Sequence, residues 1–421
     1  MPESINFFLL GTLKQKGDFV MKTKNQNHGF NCKVKNVKNI QTKIVSSVLA
    51  VTGLCSVFAM MPLKPVYASP AKQETICRSS VLIEKNTHKV LKENNSHTKY
   101  PIASVTKLMT VLITLENVED NNISLDDMVT VSKNASGMGG SQIFLDADTD
   151  YKLGDLLKSV IVCSANDSSV ALAEYIAGSE NNFVRTMNEK AQALEMHDTN
   201  YVNCTGLPAP QGYSSAYDQA ILLSYVLDYD VYHQYSSIWN EEFTHPSGRT
   251  TQMTNTNKLS RFYDGCIGGK TGSTNEAKYC LSVGARRGDM ELISCVLGAD
   301  SSQNRFKIAS DLLNYGFDNF ESKTIFSNKD LANKTVAIKG KNKVCTISAA
   351  EDFSLVSAKD EQPNYSLNFN LPSQLKSCKQ GEVVGNVEIV IDGKVEKTIN
   401  ITANETISEA SIFDYIKDII A

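Results

Sequence analysis

Residues 101–109 read PIASVTKLM, a proline followed by the start of a long apolar segment. From position 102 to 115 the apolar side chains recur at helical spacing, which predicts a helix that is buried on folding. Ser104 and Lys107 stand three residues apart in its first turn, so both side chains lie on one face. A neutral lysine in that position can take the serine's proton, and the helix N-terminus favours the resulting alkoxide.

Strand-like and helical patterns on either side of this segment predict an α+β fold. The predicted elements, in chain order, are a hairpin at 80–91, helices at 102–115, 153–162, 170–176 and 183–194, strands at 278–286 and 290–297, and a helix at 306–315. This order, in which strands are followed by helices, further strands and one more helix, indicates an antiparallel sheet covered by helices.

The N-terminal part of the chain has the composition of a secretory leader. A lysine-rich stretch at 33–43 precedes an apolar run at 44–61, and Val66-Tyr67-Ala68 supplies the small residues that a signal peptidase reads. We therefore predict an exported protein with a leader at 1–68, and Met1 and Met21 are both candidate start residues. An uncleaved membrane anchor is the alternative, because the apolar run is just long enough to span a bilayer.

The C-terminal part of the chain has a different pattern from the region before it. Short alternating runs and the turn Asp392-Gly393 predict a small all-β domain at 319–405. The segment 406–421 places its large apolar residues on one face of an amphipathic helix. Two interpretations remain open for this helix, which are peripheral contact with a membrane surface and packing against the β domain.

Charge, cysteine and histidine patterns exclude several classes of protein. A net charge of -4 argues against a general nucleic-acid binder. The ten cysteines contain no CxxC pair, so a zinc ribbon or a thioredoxin-like motif has no support. Two of them lie in the leader, and the disulfide status of the other eight stays open. No H-E-x-x-H motif occurs, and we predict neither a metal site nor a cofactor.

Three short motifs carry the chemistry, and each is weak alone. The S-x-x-K pattern of Ser104 recurs at 69–72, 96–99 and 373–376, but only Ser104 begins a buried-type helix. Ser164-Ala165-Asn166 lies between two predicted helices, where Asn166 or Asp167 as a helix cap is the alternative interpretation. Lys270-Thr271-Gly272 occurs once and precedes a strand, and it suits a strand edge that offers a cation to a carboxylate. An ordinary exposed turn is the alternative there.

The three motifs occur in the order that penicillin-recognising serine hydrolases share. From about Ser80 to Phe317 the chain strongly resembles the low-molecular-mass D-Ala-D-Ala carboxypeptidases, the penicillin-binding-protein-5-like family of peptidase family S11. This resemblance implies a β-lactamase/transpeptidase-like catalytic domain at 69–318, with an antiparallel sheet and a helical subdomain. It also implies that the substrate is a peptidoglycan stem peptide ending in D-Ala-D-Ala and that β-lactam antibiotics are covalent inhibitors.

The resemblance assigns a role to each motif residue. Ser104 is implied as the nucleophile, Lys107 as the general base and Ser164 as the relay that carries the proton to the leaving D-alanine. The residues implied to bind the substrate are Asn166, Lys270, Thr271, Gly272 and Ser273. Backbone N–H groups of Ser104 and Ser273 are implied as the oxyanion hole. Repulsion from Lys270 is expected to help keep Lys107 neutral.

Two other functions fit the same motifs. A class A β-lactamase needs a glutamate in an E-x-x-x-N loop, and none occurs between Ser164 and Lys270, since the stretch 195–200 is one residue too long. A catalytically silent, penicillin-sensing or wall-binding protein is the second alternative, although every functional atom of the motifs is present.

Overall fold

The computed structural model describes residues 77–341 and 343–412. The predicted leader at 1–68 and residues 413–421 of the predicted C-terminal helix lie outside the described residues. The predicted start of that helix at 406 was wrong, because residues 406–411 are not helical and Ile407 pairs with Cys378 in a β-bridge. Within the described ranges, no helix combines the length and the apolar character that crossing a bilayer requires.

Strands and α-helices have the following bounds. The strands are β1 (Ser79–Glu84), β2 (Val90–Asn94), β3 (Met128–Thr130), β4 (Asp150–Lys152), β5 (Asn240–Thr244), β6 (Thr250–Thr254), β7 (Cys266–Thr274), β8 (Lys278–Arg287), β9 (Met290–Ala299), β10 (Phe320–Phe326), β11 (Thr335–Ile338), β12 (Val344–Ala349), β13 (Phe353–Ala358), β14 (Tyr365–Asn370), β15 (Gln374–Leu375), β16 (Val383–Ile391) and β17 (Lys394–Ala403). The helices are α1 (Lys107–Glu119), α2 (Lys133–Ser136), α3 (Leu153–Val162), α4 (Asn166–Ala177), α5 (Glu180–Ala193), α6 (Ala216–Val226), α7 (Asp230–Ser236), α8 (Leu259–Phe262) and α9 (Ser302–Asn319).

A five-stranded antiparallel sheet forms the centre of the first region, in the order β2-β1-β9-β8-β7. Alternate side chains of β9 point to opposite faces, so Ile293 packs in one apolar core and Leu292 in another. Helix α6 contributes to the core of Ile293, and α9 contributes to that of Leu292. Both faces of the sheet are therefore covered by helices, and the predicted α+β architecture is confirmed.

Helix α1 runs through the interior of the helical region. Every residue from Lys107 to Leu115 is buried, and α1 contacts α3, α4, α5 and α6. Because other helices surround α1, its side chains are apolar on nearly all sides. The helix begins at Lys107 rather than at 102, because a 3-10 turn at Ala103–Thr106 precedes it.

Several helices begin before the position that apolar spacing predicted. Helix α5 begins at Glu180 instead of 183 and α9 at Ser302 instead of 306. In both cases a serine, Ser179 or Ser301, accepts a backbone N–H three residues further on and so caps the helix. Apolar spacing identifies the first core residue of a helix, whereas the capping serine determines where the helix begins. Helices α6 and α7 and the β5–β6 hairpin were not predicted.

The region after α9 is built of strands. A six-stranded sheet has the order β14-β16-β17-β12-β11-β15, and β10 pairs with β13. Phe326, Val387 and Ile401 belong to its apolar core. Asp392 and Gly393 have φ angles of 49° and 80° and join β16 to β17, as a tight hairpin turn requires. The predicted all-β character is confirmed, and the predicted boundary at 318/319 falls at the end of α9.

Candidate active site

Ser104 lies in the 3-10 turn that leads into α1 and is partly exposed, whereas Lys107 is fully buried. The Nζ atom of Lys107 lies 3.1 Å from Ser104 Oγ. The turn is strained, because Ala103 has a φ of 49°. A close neighbour holds it in place: a Cβ on Gly206 would lie 2.0 Å from the carbonyl oxygen of Ala103. Only glycine at position 206 allows this approach.

Hydrogen bonds around Lys107 leave its lone pair for Ser104. Lys107 Nζ lies 2.6 Å from Asn166 Oδ1 and 2.5 Å from the carbonyl oxygen of Thr205. The orientation of the Asn166 amide is fixed, since its Nδ2 donates to the carbonyl oxygen of Gly139 at 2.6 Å. A neutral amine has two N–H groups, and both are taken by these two acceptors. The remaining lone pair is therefore available to the hydroxyl proton of Ser104.

Burial favours the neutral form of Lys107 over the charged form. Removal from water lowers the pKa of Lys107 from 10.5 to about 7, although Cys204 and Asp167 oppose this shift. A pKa in this range makes the neutral form of Lys107 available near pH 7. Burial is the main cause of the lowered pKa of Lys107. Burial is also the main cause of the lowered pKa of Lys270, and repulsion between the two lysines adds to it.

Ser164 and Lys270 form the second half of the site. Ser164 lies in the connection between α3 and α4 with a φ of 67°, a strained conformation for a serine. Lys270 Nζ donates to Ser164 Oγ at 2.7 Å and to the carbonyl oxygen of Thr271 at 2.9 Å. The Lys270 side chain is 2% exposed, and Ser164 is buried as well. A hydroxyl is thus held beside a shielded amine.

The K-T-G residues lie in β7, at the edge of the five-stranded sheet. They are buried, so the alternative interpretation as an exposed turn was wrong. A Cβ on Gly272 would lie 2.6 Å from the carbonyl oxygen of Ile102 and 2.9 Å from the backbone nitrogen of Ser104. Strand β7 therefore packs directly on the turn that carries Ser104, and a side chain at position 272 does not fit.

Thr271 and Ser273 flank that glycine. Thr271 Oγ1 donates to Thr256 Oγ1 at 2.8 Å, which fixes the position of its hydroxyl. The side chain of Ser273 is exposed. The structure thus brings Ser104, Lys107 and Asn166 into one hydrogen-bonded group and Ser164 with Lys270 into another, while Gly272 places β7 against the first group.

The N-cap of α4 is Ala165, whose side chain makes no capping hydrogen bond. Asp167 satisfies one N–H group of the first turn, because its Oδ1 accepts the backbone N–H of Ser168 at 2.9 Å. The cap interpretation therefore holds for Asp167 in this limited sense and not for Asn166. Asn166 instead bridges Lys107 and the 139–141 segment, where its backbone N–H also donates to Ser141 O at 2.7 Å. The Asp167 carboxylate accepts the backbone N–H groups of Ile143 and Leu145, each at 3.1 Å. Both side chains hold the loop beside the site.

Arg305 is a charged residue of the site region that sequence reasoning missed. It lies in α9, is 8% exposed, and donates to the carbonyl oxygens of Gly272 at 3.1 Å and Cys280 at 3.3 Å. Its charge contributes to the lowered pKa of Lys270. Its only sequence signal is an arginine in the first turn of a helix that follows a buried strand, which is too common to single it out. Packing of α9 on the sheet places it there.

Comparison with known proteins follows the same division of the chain. The sequence profile of the family described as D-alanyl-D-alanine carboxypeptidase matches residues 66–301. The profile of the penicillin-binding protein 5 C-terminal domain matches residues 320–409. D-alanyl-D-alanine carboxypeptidase DacF of Bacillus subtilis is 34% identical over 81% of this chain and 88% of its own length. DacC of Escherichia coli is 33% identical over 82% of this chain and 87% of its own length.

Solved structures show the same likeness. Penicillin binding protein 5 from Haemophilus influenzae has a TM-score of 0.65 and 30% identity, and the match covers 79% of this chain and 98% of that one. A mutant of the Streptomyces K15 DD-transpeptidase has a TM-score of 0.55 and 27% identity, over 58% of this chain and 98% of that one. The resemblance drawn from the motifs is confirmed, and the chain belongs to the D-alanyl-D-alanine carboxypeptidase family, peptidase family S11.

Proposed function

We propose that this protein is a serine-type carboxypeptidase that removes the terminal D-alanine from peptidoglycan stem pentapeptides through an acyl-enzyme on Ser104. One observation carries the proposal. Lys107 is fully buried, its pKa is lowered to about 7, and its two acceptors leave the lone pair for the Ser104 hydroxyl at 3.1 Å. A serine with a neutral amine base at this distance is equipped for acyl transfer.

Acylation begins at Ser104 in this proposal. Its Oγ attacks the carbonyl carbon of the penultimate D-alanine while its proton passes to Lys107 Nζ. The backbone N–H groups of Ser104 and Ser273 stabilise the oxyanion, a contribution of about 3 kcal/mol for each donor. Ser164 then relays the proton of Lys107 to the nitrogen of the departing D-alanine as the C–N bond breaks. Water attacks the ester and gives a proton to Lys107, and Lys107 returns it to Ser104 Oγ as the acyl–oxygen bond breaks and the shortened peptide leaves.

The terminal carboxylate of the substrate binds at Lys270 and Thr271 in this proposal. Arg305 adds a third group to the same region through its positive charge. Burial lowers the pKa of Lys270, and a carboxylate bound beside it opposes that shift. The free edge of β7 gives the peptide backbone a strand to pair with.

A β-lactam presents a strained amide to the same nucleophile, so we propose that β-lactam antibiotics acylate Ser104 and inhibit the enzyme covalently. Rapid hydrolysis of that ester, as in a β-lactamase, requires an additional base. Glu195, the nearest sequence candidate, is exposed in the turn after α5. Asp167, the acid next to Asn166, accepts backbone N–H groups. These positions favour the carboxypeptidase over a β-lactamase.

The regions outside the active site suit an exported enzyme that acts on the cell wall. We propose export through the leader at 1–68, a catalytic domain at 69–318, a β-rich domain at 319–405 and peripheral membrane contact by the C-terminal part of the segment 406–421. Support comes from the apolar run before Ala68 and from the single apolar face of the C-terminal segment.

A labelling experiment with matched serine variants tests the proposal. Wild type, Ser104→Ala and Ser373→Ala are incubated with a fluorescent penicillin and with a diacetyl-Lys-D-Ala-D-Ala peptide. Ser373 belongs to another S-x-x-K sequence and is exposed, so it is the matched control. We expect label and D-alanine release in wild type and Ser373→Ala and neither in Ser104→Ala. Label or release that persists in Ser104→Ala contradicts the assignment, and rapid loss of the label favours a β-lactamase.

A further inference from the structure

Two buried thiols face each other in the C-terminal β region. Cys345 lies in β12 and is 0% exposed, and Cys378 lies between β15 and β16 and is 1% exposed. Their sulfur atoms are 3.3 Å apart, although the residues are 33 positions apart in sequence. Both belong to the apolar core of this region. The fold, and not sequence proximity, brings the two thiols together.

Backbone pairing fixes both cysteines. Cys345 pairs with Val336 across β11 and β12. Cys378 forms an isolated bridge with Ile407, donating its N–H to Ile407 O at 2.9 Å and accepting the N–H of Ile407 at 2.8 Å. A covalent bond needs the two sulfurs to approach by about 1.3 Å.

The sulfur contacts of other cysteines differ from those of this pair. Cys163 Sγ lies against the carbonyl oxygen of Ser159, and Cys204 Sγ against a carboxylate oxygen of Glu180. Cys280 Sγ lies against the carbonyl oxygen of Ala277. Such contacts are typical of a free thiol in a packed core. Cys345 Sγ and Cys378 Sγ also lie 3.4 Å from carbonyl oxygens, those of Thr346 and Glu405, but in addition they contact each other, which is the arrangement that a cross-link requires.

We propose that Cys345 and Cys378 form a disulfide bond that staples the C-terminal β domain of the exported protein. The two thiols lose two protons and two electrons, and a disulfide oxidant such as oxidised glutathione or a protein disulfide gains them and becomes two thiols. The S–S bond forms between Cys345 and Cys378 while the S–S bond of the oxidant breaks. An extracytoplasmic location is the setting in which such bonds persist.

Burial places the oxidation step during folding. An oxidant does not reach thiols that are 0% and 1% exposed. Burial and the neighbouring Cys378 also raise the pKa of Cys345 to about 12, so the reactive thiolate is scarce at pH 7. The bond therefore forms before the β domain closes, and once formed it is equally shielded from reductants.

The cross-link has a structural consequence for the end of the chain. It closes a loop that contains β13, β14 and β15, which restricts the unfolded chain and so stabilises the folded domain. Through the bridge of Cys378 to Ile407, it also ties β12 to the residues that lead into the predicted C-terminal helix. This inference is independent of the chemistry proposed for Ser104.

Peptide mapping of the exported protein tests the proposal. The full chain is isolated from the exported fraction, its free thiols are alkylated in denaturant without reductant, and its peptides are analysed by mass spectrometry. We expect Cys345 and Cys378 in one cross-linked peptide pair, about 2 Da lighter than the two reduced peptides because two hydrogens are lost. Two fully alkylated cysteines at these positions, or a cross-link to a different cysteine, overturns the proposal.

Refolding and variants complete the test. Reduced protein that refolds with oxidised glutathione should form the bond at least about ten times faster than folded reduced protein under the same oxidant. Equal rates overturn the step that places oxidation before domain closure. Cys345→Ala should leave Cys378 open to alkylation, whereas Cys295→Ala, a buried thiol of β9, should keep the cross-link. A cross-link of Cys378 that survives in Cys345→Ala overturns the pairing.

Discussion

Replacing Gly272 by alanine tests how closely β7 approaches the nucleophile. The added Cβ would lie 2.6 Å from the carbonyl oxygen of Ile102, whereas ordinary van der Waals contact begins at 3.4 Å. The strand or the Ser104 turn must therefore move by about 0.8 Å or more. A misplacement of about 1 Å at a reacting centre costs about 100-fold in rate, or about 2.7 kcal/mol of activation free energy.

The assay for Gly272→Ala is the rate of acylation by a fluorescent penicillin, together with D-alanine release from the dipeptide-ended substrate. Gly139→Ala is the matched control, because a Cβ at that position would meet nothing within 4 Å. We expect about a 100-fold loss in Gly272→Ala and less than about a tenfold loss in Gly139→Ala. Wild-type acylation by a folded Gly272→Ala protein refutes the inference that β7 positions Ser104.

Three further substitutions follow from the site. Asn166→Asp puts a carboxylate beside Lys107 and should raise the pKa of Lys107 by about 1–3 units. The acylation rate should therefore begin to rise at a higher pH than in wild type. Asn134→Asp, a matched exposed substitution, should leave this pH dependence unchanged. Lys270→Gln should lower kcat/KM by at least about 30-fold through loss of the carboxylate partner, and an unchanged value argues against that role. Asp167→Asn weakens the bonds to Ile143 N and Leu145 N and should lower the free energy of unfolding by about 1–3 kcal/mol in a denaturant titration.

Local patterns in the sequence predicted the elements that carry the chemistry. The apolar spacing after Pro101 identified α1, although the 3-10 turn shifted its start to Lys107. Strands β8 and β9 were visible because a strand buried on both faces is a continuous apolar run. The alternation of short runs after α9 likewise identified the β-rich region.

Contacts between distant segments were not predictable in the same way. The carbonyl oxygen of Thr205 beside Lys107 is a backbone group, so no residue type marks it. Arg305 reaches Gly272 only because α9 packs on the sheet. Cys345 and Cys378 meet because β12 pairs with β11 and because Cys378 pairs with Ile407. Their spacing in the sequence does not predict this contact. Each of these contacts depends on tertiary packing.

The pH dependence of Ser104 acylation tests the central claim most directly. Lys107 accepts the serine proton only when neutral, so the second-order rate of labelling by a fluorescent penicillin should rise with pH and level off above the lowered pKa of Lys107, about 7. Lys107→Arg, which stays charged, should lose this rise together with nearly all labelling. A rate that is constant from about pH 5.5 to pH 9, or that rises only above about pH 9, contradicts a neutral Lys107 as the base.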